Sequence, residues 1–345
     1  RINLTQPVYH HDKIIDLFQS KKILKKAQLE LVEAHQDLIY RATENYFNVL
    51  SSKDKLKFAH SELLSLQGQL ERAKQRFDVG LIAITDVQEA TAGYDRAFAR
   101  KIQAQNEVQN AMESLRKVTG SYYEEIAPLG DSFQLKKATP DNIKEWADRA
   151  IVGNLKVALA NTDVQIQKDE IKKVKAKYFP SIDIVGGHGM NKQGGRFGSS
   201  EIDQTDIGVE LSVPIFLGGE VIFNSKKEKQ KYKAALSKLE SLQRSAIKDA
   251  RESFLGIETQ MSLVGAFGRS VISAETSLES IKAGFQVGTR TTIDIVDAES
   301  VLSQARRDLQ LAKYNYILSS FKLKRAVGSL NSEDVGNINN WLVIN

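Results

Sequence analysis

The chain has 345 residues, a formal net charge of +5 from 48 basic and 43 acidic residues, and no cysteine. The two signs of charge are interspersed, which excludes the clustered basic footprint of a nucleic-acid-binding protein. The lack of cysteine excludes disulfides and is compatible with an oxidising compartment, and no apolar run reaches the roughly 18 residues of a membrane helix.

The first residues alternate between apolar and polar side chains. Ile2 and Leu4 are separated by polar neighbours, which predicts the end of a β-strand, and Pro7 is expected to mark its exit. Because the chain begins inside this strand and carries no signal peptide, we expect a mature or trimmed product.

A long helix is predicted after this strand. Residues 8–127 contain no proline, which permits long uninterrupted helices. From about Asp12 to Phe77 apolar residues recur at spacings of three and four, the period of a helix. Residues 86–119 predict a second helix, which ends at Gly120.

The middle of the chain changes character twice. Residues 121–140 contain two prolines and are predicted to form a connecting segment with little regular structure, followed by one helix over 141–177. Residues 178–190 then switch to a strand pattern. Residues 191–205 are polar and glycine-rich and predict an exposed loop, after which strict alternation up to Ile215 predicts a second strand.

The second long helix carries the strongest periodic signal in the sequence. If residues 220–286 form one helix, its length is roughly 100 Å at 1.5 Å per residue. Such a helix is too long for a globular core of this size and must line a tube, a bundle or a fibre. Its apolar residues follow the spacing of a coiled-coil seam: Ile247, Ala250, Phe254, Ile257, Met261, Val264, Phe267, Val271, Ala274, Leu278, Ile281 and Phe285.

One stretch occurs twice in the chain, at residues 76–90 and 284–298. RFDVGLIAITDVQEA in the first copy corresponds to GFQVGTRTTIDIVDA in the second. Gly80 and Gly288 suit the left-handed residue that follows a helix. Thr85 and Gln88 fit a capping box for the next helix. We therefore predict that each copy is the tip of a helical hairpin.

Each copy carries two acidic residues one helical turn apart. They are Asp294 and Asp297 in the second copy, and Asp86 and Glu89 in the first. One interpretation is that they open a helix, where negative charge favours the helix dipole. The other is that several copies ring a pore in an oligomer and select cations. The sequence leaves both open.

No pattern in the sequence indicates an enzyme, a cofactor or a metal site. The glycine-rich segments at 186–189 and 194–198 lack the Lys-Ser/Thr of a phosphate loop. The five histidines have no metal-ligand spacing: His10, His11, His35, His60 and His188.

Several segments resemble the TolC family of outer-membrane efflux proteins, also called outer membrane factors. They are QRFDVGLIAITDVQ (75–88), AGFQVGTRTTIDIVDA (283–298), LSVPIFLGG (211–219), AKYNY (312–316) and VGSLN (327–331). The resemblance covers nearly the whole chain. It implies that the chain begins at the second strand of the family, without the family's first helix and first strand.

The resemblance implies a mixed α and β fold built from two tandem repeats. Three subunits would form an outer-membrane β-barrel that continues into a long periplasmic coiled-coil barrel. The implied function is a passive exit duct for efflux or type I secretion, gated at its periplasmic tip. The implied partners are a homotrimer, outer-membrane lipid, a periplasmic adaptor and an inner-membrane pump or ABC transporter, with no nucleic acid. The alternative is a soluble coiled-coil scaffold or adaptor without a pore.

The resemblance also divides the chain. Barrel strands are expected at 1–10 and 178–217, the second with an extracellular loop, and periplasmic helical hairpins at 11–120 and 218–328. A further periplasmic helix is expected at 151–177. Residues 121–150 and 329–345 are expected in an equatorial band.

The same resemblance assigns a closed gate at the tip. The matching positions are Phe285 and Arg290 on one side, and Thr85 and Asp86 on the other. The family often has tyrosine where Phe285 stands, and phenylalanine lacks the hydroxyl that would bond the aspartate. Closure is therefore expected to depend more on Arg290. The sequence indicates neither the exported substrate nor a role for the two tryptophans, Trp146 and Trp341.

Overall fold

A computed structural model of the protein describes residues 1–130, 133–196 and 198–343. Single positions of the predicted connecting segment (131 and 132), loop (197) and C-terminal segment (344 and 345) lie outside the described residues. The chain divides into unit 1, residues 1–33 and 155–245, and unit 2, residues 34–154 and 246–345. The described elements are β1 (Ile2–Tyr9), α1 (His11–Asp78), α2 (Ile84–Thr119), α3 (Ile143–Gly153), α4 (Leu155–Ala176), β2 (Ser181–Gly195), β3 (Gly198–Ser212), α5 (Glu220–Gln286), α6 (Thr292–Ala326) and α7 (Ser332–Asn339).

Unit 1 contains an antiparallel sheet with the order β1-β2-β3. Leu4 is opposite Gly186, which is opposite Ile207, so these three positions share one face. Because side chains alternate along a strand, the pairing of residues 182–187 with 206–211 gathers apolar residues on that face and, apart from Val185, polar residues or glycine on the other. The apolar face carries Ile2, Leu4, Ile182, Ile184, Ile207, Val209 and Leu211, and the other carries Asn3, Thr5, Asp183, Asp206 and Glu210.

The strand ends differ from the sequence prediction in three places. Residues 191–195 and 198–205 are strand and not loop, because β2 runs to Gly195 and β3 begins at Gly198. Apart from Ile202 they are polar residues or glycine on both faces, which hides the alternation while leaving the backbone ladder intact. β1 continues through Pro7 to Tyr9, as an edge strand tolerates a residue without an N–H. β3 ends at Ser212, short of the predicted Ile215, since Pro214 cannot donate to the ladder.

Ion pairs join the first turns of α1 to α4 within unit 1. Lys22 Nζ lies 2.5 Å from Asp169 Oδ2, and Lys173 Nζ lies 2.6 Å from Asp16 Oδ1. Burial acts to raise the pKa of the Asp169 carboxyl, but the ammonium groups of Lys22 and Lys172 outweigh it and lower the pKa. Ion pairs therefore help to hold this pair of helices together.

Unit 2 contains two helical hairpins. Hairpin 1 comprises residues 34–78 of α1 with α2, and hairpin 2 comprises residues 246–286 of α5 with α6. In hairpin 1, Ala73, Val87 and Ala90 pack with Leu70 and Ile82. The seam predicted along α5 is confirmed, because its members from Ile247 to Phe285 are buried or half-buried. Near the tip, Ala274 and Leu278 of this seam pack against residues of α6: Ile295, Ala298, Leu302 and Ala305.

The single helix predicted over 141–177 is interrupted. Asn154 has extended backbone angles and separates α3 from α4. The cause lies at the end of α3, where a Cβ on Gly153 would come within 2.3 Å of the Val327 carbonyl oxygen. This close approach of two backbones admits only glycine at the last residue of α3.

The connecting segment and the C-terminal segment pair with each other in unit 2. The Gly130 N–H donates to the Trp341 carbonyl at 2.7 Å, and the Trp341 ring packs edge-on against Phe133 at 5.4 Å between centroids. Trp146 is buried, and its indole N–H donates to the Pro140 carbonyl at 2.8 Å. Both tryptophans thus anchor irregular backbone.

Candidate functional site: the two hairpin tips

Both hairpins end their first helix in the same way. We call residues 76–90 tip 1 and residues 284–298 tip 2. Gly80 and Gly288 have left-handed φ angles of 74° and 81°. The residue after each glycine donates back to the last helical turn, from Leu81 N to Arg76 O at 2.8 Å in tip 1. This arrangement is the glycine-ended C-cap that the sequence predicts.

Tip 2 begins its second helix with a reciprocal capping box. The Thr291 N–H donates to Asp294 Oδ2 at 2.8 Å, and the Asp294 N–H donates to Thr291 Oγ1 at 3.3 Å. The Thr291 hydroxyl also donates to the same carboxylate at 3.0 Å. Two helix-end donors are thereby satisfied by side chains.

Tip 1 has only half of this arrangement. The predicted capping box of Thr85 and Gln88 is wrong, because α2 begins at Ile84 with Ala83 as its N-cap. The Ala83 N–H donates to Asp86 Oδ2 at 3.2 Å. Alanine offers no side-chain acceptor in return, so the N–H of Asp86 bonds the Ala83 carbonyl at 3.1 Å.

The acidic pairs occupy matching positions in the two tips. Asp86 and Asp294 are half-buried capping residues, whereas Glu89 and Asp297 are exposed. The pKa of Asp294 is lowered, first by the backbone N–H of Thr291, then by its hydroxyl, with a further contribution from the charge of Arg290. Within one chain, Asp294 therefore acts as a residue that opens a helix. Asp297 makes no part of the cap, and its side chain is exposed.

The gate positions contact groups that the sequence did not indicate. The guanidinium of Arg76 lies over the Phe285 ring, 5.1 Å from its centroid, so a cation–π contact joins hairpin 1 to hairpin 2. Thr85 is exposed at the start of α2. The side chain of Arg290 lies against Gly284, where a Cβ would come within 2.8 Å of Arg290 Cγ.

Arg76 could have been found from the repeated stretch. It stands where the second copy has Gly284, and Ile82 of the first copy stands where the second has Arg290, so each copy carries an arginine at a position where the other does not. That difference lets tip 1 supply a guanidinium and lets tip 2 accommodate the folded stem of Arg290.

Residues 1–130, 133–196 and 198–343 contain no group of three or more histidine, aspartate and glutamate side chains that could hold a metal ion. No helix in the same residues is both long enough and apolar enough to cross a membrane.

Comparison with known proteins decides the family. The model of the family described as outer membrane efflux protein matches residues 1–121 and 146–329. The chain belongs to this family. It is 33% identical to outer membrane protein TolC of Escherichia coli K12, over 99% of this chain and 71% of that protein. It is 34% identical to TolC of Vibrio cholerae, over 99% of this chain and 79% of that protein.

The fold has close neighbours among solved structures. The outer membrane channel CmeC of Campylobacter jejuni superimposes with a TM-score of 0.84, over 99% of this chain and 74% of CmeC. Sequence identity in that comparison is 17%, so it concerns the fold. The mainly helical fold is thus shared with that outer membrane channel.

Proposed function

We propose that the protein is the subunit of a homotrimeric outer-membrane channel, the exit duct of a tripartite efflux or type I secretion system. Its two tandem repeats supply barrel strands (1–10 and 178–217) and periplasmic hairpins (11–120 and 218–328). The helix at 151–177 is periplasmic, and residues 121–150 and 329–345 form an equatorial band.

The observation that carries the proposal is the two-faced sheet of unit 1. Its apolar face is solvent-exposed over Ile2, Leu4, Ile207, Val209 and Leu211. Transmembrane barrels alternate apolar residues towards lipid with polar residues towards the lumen. An open sheet edge cannot face lipid, and three strands are too few to close a barrel. Strands from three chains joined edge to edge resolve both problems.

The hairpins extend the duct into the periplasm and close it at the tips. Family membership and the long seam of α5 support a coiled-coil tunnel. Asp294 and Asp297 of three chains form the cation-selective entrance. Arg290 and Phe285 of hairpin 2 hold that entrance closed against Thr85 and Asp86 of hairpin 1.

The partners follow from the absence of an energy source in the sequence. No nucleotide-binding motif is present, so transport energy comes from an inner-membrane pump or ABC transporter, coupled through a periplasmic adaptor. The chain itself is a passive duct, with lipid around its strands and most of its residues in the periplasm.

The test is purification in detergent, followed by native mass spectrometry and planar-bilayer recording. The proposal predicts a three-copy assembly that forms cation-selective channels, blocked by a trivalent cation added on the tip side. A soluble coiled-coil scaffold instead predicts a protein that stays monodisperse without detergent and forms no channels. That second result would overturn the proposal.

A further inference from the structure

Glu299 of α6 connects three helices just beyond tip 2. Its Oε1 accepts a hydrogen bond from Ser65 Oγ of α1 at 2.5 Å, and another from Lys282 Nζ of α5 at 2.6 Å. The Glu299 side chain is 12% exposed, so the carboxylate is largely removed from water. One nearly buried charge thus bonds to hairpin 1 and to hairpin 2 at the same time.

The two hairpins are in tight contact around this group. Leu63 and Leu66 of α1, Ala97 of α2 and Val296 of α6 form a shared apolar cluster. α2 approaches α6 at Gly93, where a Cβ would come within 3.2 Å of Val296 Cγ2. The small residues Gly93 and Ala97 allow this approach, which brings Ser65 within reach of Glu299.

We propose that Ser65, Glu299 and Lys282 form a clasp that holds hairpin 2 against hairpin 1 in the closed channel and opens reversibly. Glu299 is the positioning residue of this clasp. The inference rests on the proposed function, since it concerns how the tip opens. It adds a contact between the hairpins of one chain, separate from the Arg76–Phe285 contact at the tip.

The placement of Lys282 makes the clasp reversible. Lys282 and Glu299 belong to the same hairpin, so their charges stay paired when hairpin 2 moves away. Only the hydroxyl of Ser65 is exchanged for water. A lysine on hairpin 1 would instead have to give up its ion pair with Glu299 each time the hairpins separate.

The repeat supports a specific role for Glu299. The equivalent of Lys282 in the first copy is Lys74, but the equivalent of Glu299 is Thr91. Thr91 turns its hydroxyl back to the Val87 carbonyl of its own helix at 2.7 Å. Hairpin 1 therefore provides the neutral donor of the clasp and hairpin 2 provides the charge.

The clasp is tested by recording channel opening in planar bilayers. Ser65→Ala should raise the ratio of open to closed time about 10-fold, because it removes a hydrogen bond to a charged group. Ser65→Thr keeps the hydroxyl and should restore the wild-type ratio. The matched control is Ser61→Ala, one turn earlier on α1, where the exposed hydroxyl bonds its own helix at Lys57 O. Equal opening in Ser65→Ala and wild type would overturn the clasp.

Cross-linking supplies a readout that does not require conduction. Because the chain has no cysteine, Ser65→Cys with Glu299→Cys introduces one defined pair. This pair should oxidise faster than Ser61→Cys with Glu299→Cys, and in bilayers the oxidised channel should stay closed until a reductant is added. Equal rates would show that the contact is not made. Fast cross-linking in a protein that forms no channels would refute the proposed function while leaving the contact established.

Discussion

The two hairpin tips share a backbone design and differ in what stabilises it. Each has a left-handed glycine, Gly80 or Gly288, and an aspartate at the third position of the next helix. Tip 2 closes a full capping box between Thr291 and Asp294, whereas tip 1 has Ala83 at the N-cap and makes half of it.

Tip 1 compensates through apolar packing. Ile82, immediately before α2 begins, packs against the apolar cluster of Ala73, Val87 and Ala90. Tip 2 has an apolar cluster of its own, which includes Ile295 and Ala298, and adds hydrogen bonds among exposed or half-buried polar groups. The comparison teaches that one backbone motif can be capped with or without a side-chain acceptor at its N-cap, and that the polar cap of tip 2 includes a titratable carboxylate.

The largest expected effect separates the acidic pairs of the two tips. Replacing Asp294 and Asp297 together by alanine should raise the concentration of trivalent cation needed for half-block at least ~10-fold, because acidic rings attract multivalent cations. The matched variant replaces Asp86 and Glu89 of tip 1 and should change the block less. An equal rise of the half-blocking concentration in both variants would show that the two tips contribute alike to the entrance.

Acid should loosen the cap of tip 2. The pKa of Asp294 is lowered in the folded state, so its stabilisation is present above its ordinary pKa of about 4 and is lost as pH falls through the lower folded value. Amide exchange at Thr291, corrected for the intrinsic rate, should therefore speed up between pH 7 and pH 3. Asp294→Asn does not titrate and serves as the control. Unchanged protection in the wild type at pH 3 would contradict the capping role.

Exchanging the N-cap residues should make the local stability of each tip more like that of the other tip. Thr291→Ala removes the side-chain acceptor and should cost about 1 kcal/mol of local stability at the start of α6. Ala83→Thr should gain about half of that or more at the start of α2. Both changes are measured by hydrogen exchange. A destabilising Ala83→Thr would show that tip 1 has no room for the missing half of the box.

A smaller effect is expected at the contact between the tips. Arg76→Met keeps the apolar stem and removes the cation above Phe285, which should weaken hairpin docking by about 0.5–1 kcal/mol. Slightly more frequent opening in bilayers is the expected result. Phe285→Tyr should leave conductance equal or lower, since its hydroxyl adds a bond. A higher conductance in Phe285→Tyr would show that the added hydroxyl does not stabilise the closed tip.

Features set by backbone conformation or local period were predictable from the sequence. Gly80 and Gly288 were recognisable because left-handed backbone favours glycine, and the seam along α5 because buried residues repeat every three or four positions. The N-cap of α2 was misplaced because Thr85 also fits a capping pattern. Only the structure shows that Asp86 accepts from the N–H of Ala83.

Contacts between distant segments could not be predicted from the sequence. Arg76 meets Phe285, and Ser65 meets Glu299, through the docking of two hairpins that no local pattern encodes. The strand residues 191–195 and 198–205 were missed for a related reason. Their conformation comes from pairing between β2 and β3, and their side chains do not alternate in polarity.

The central claim is that hairpin 2 holds the duct closed at its tip, and Arg290→Ser tests it most directly. Arg290 lies exposed at tip 2, and its rigid fork of donors can hold a carbonyl or hydroxyl of a neighbouring hairpin. Arg306→Ser is the matched control, because it breaks an exposed ion pair with Glu275 within hairpin 2. Single-channel conductance should rise in Arg290→Ser and stay at the wild-type value in Arg306→Ser. Wild-type conductance in Arg290→Ser would contradict the claim.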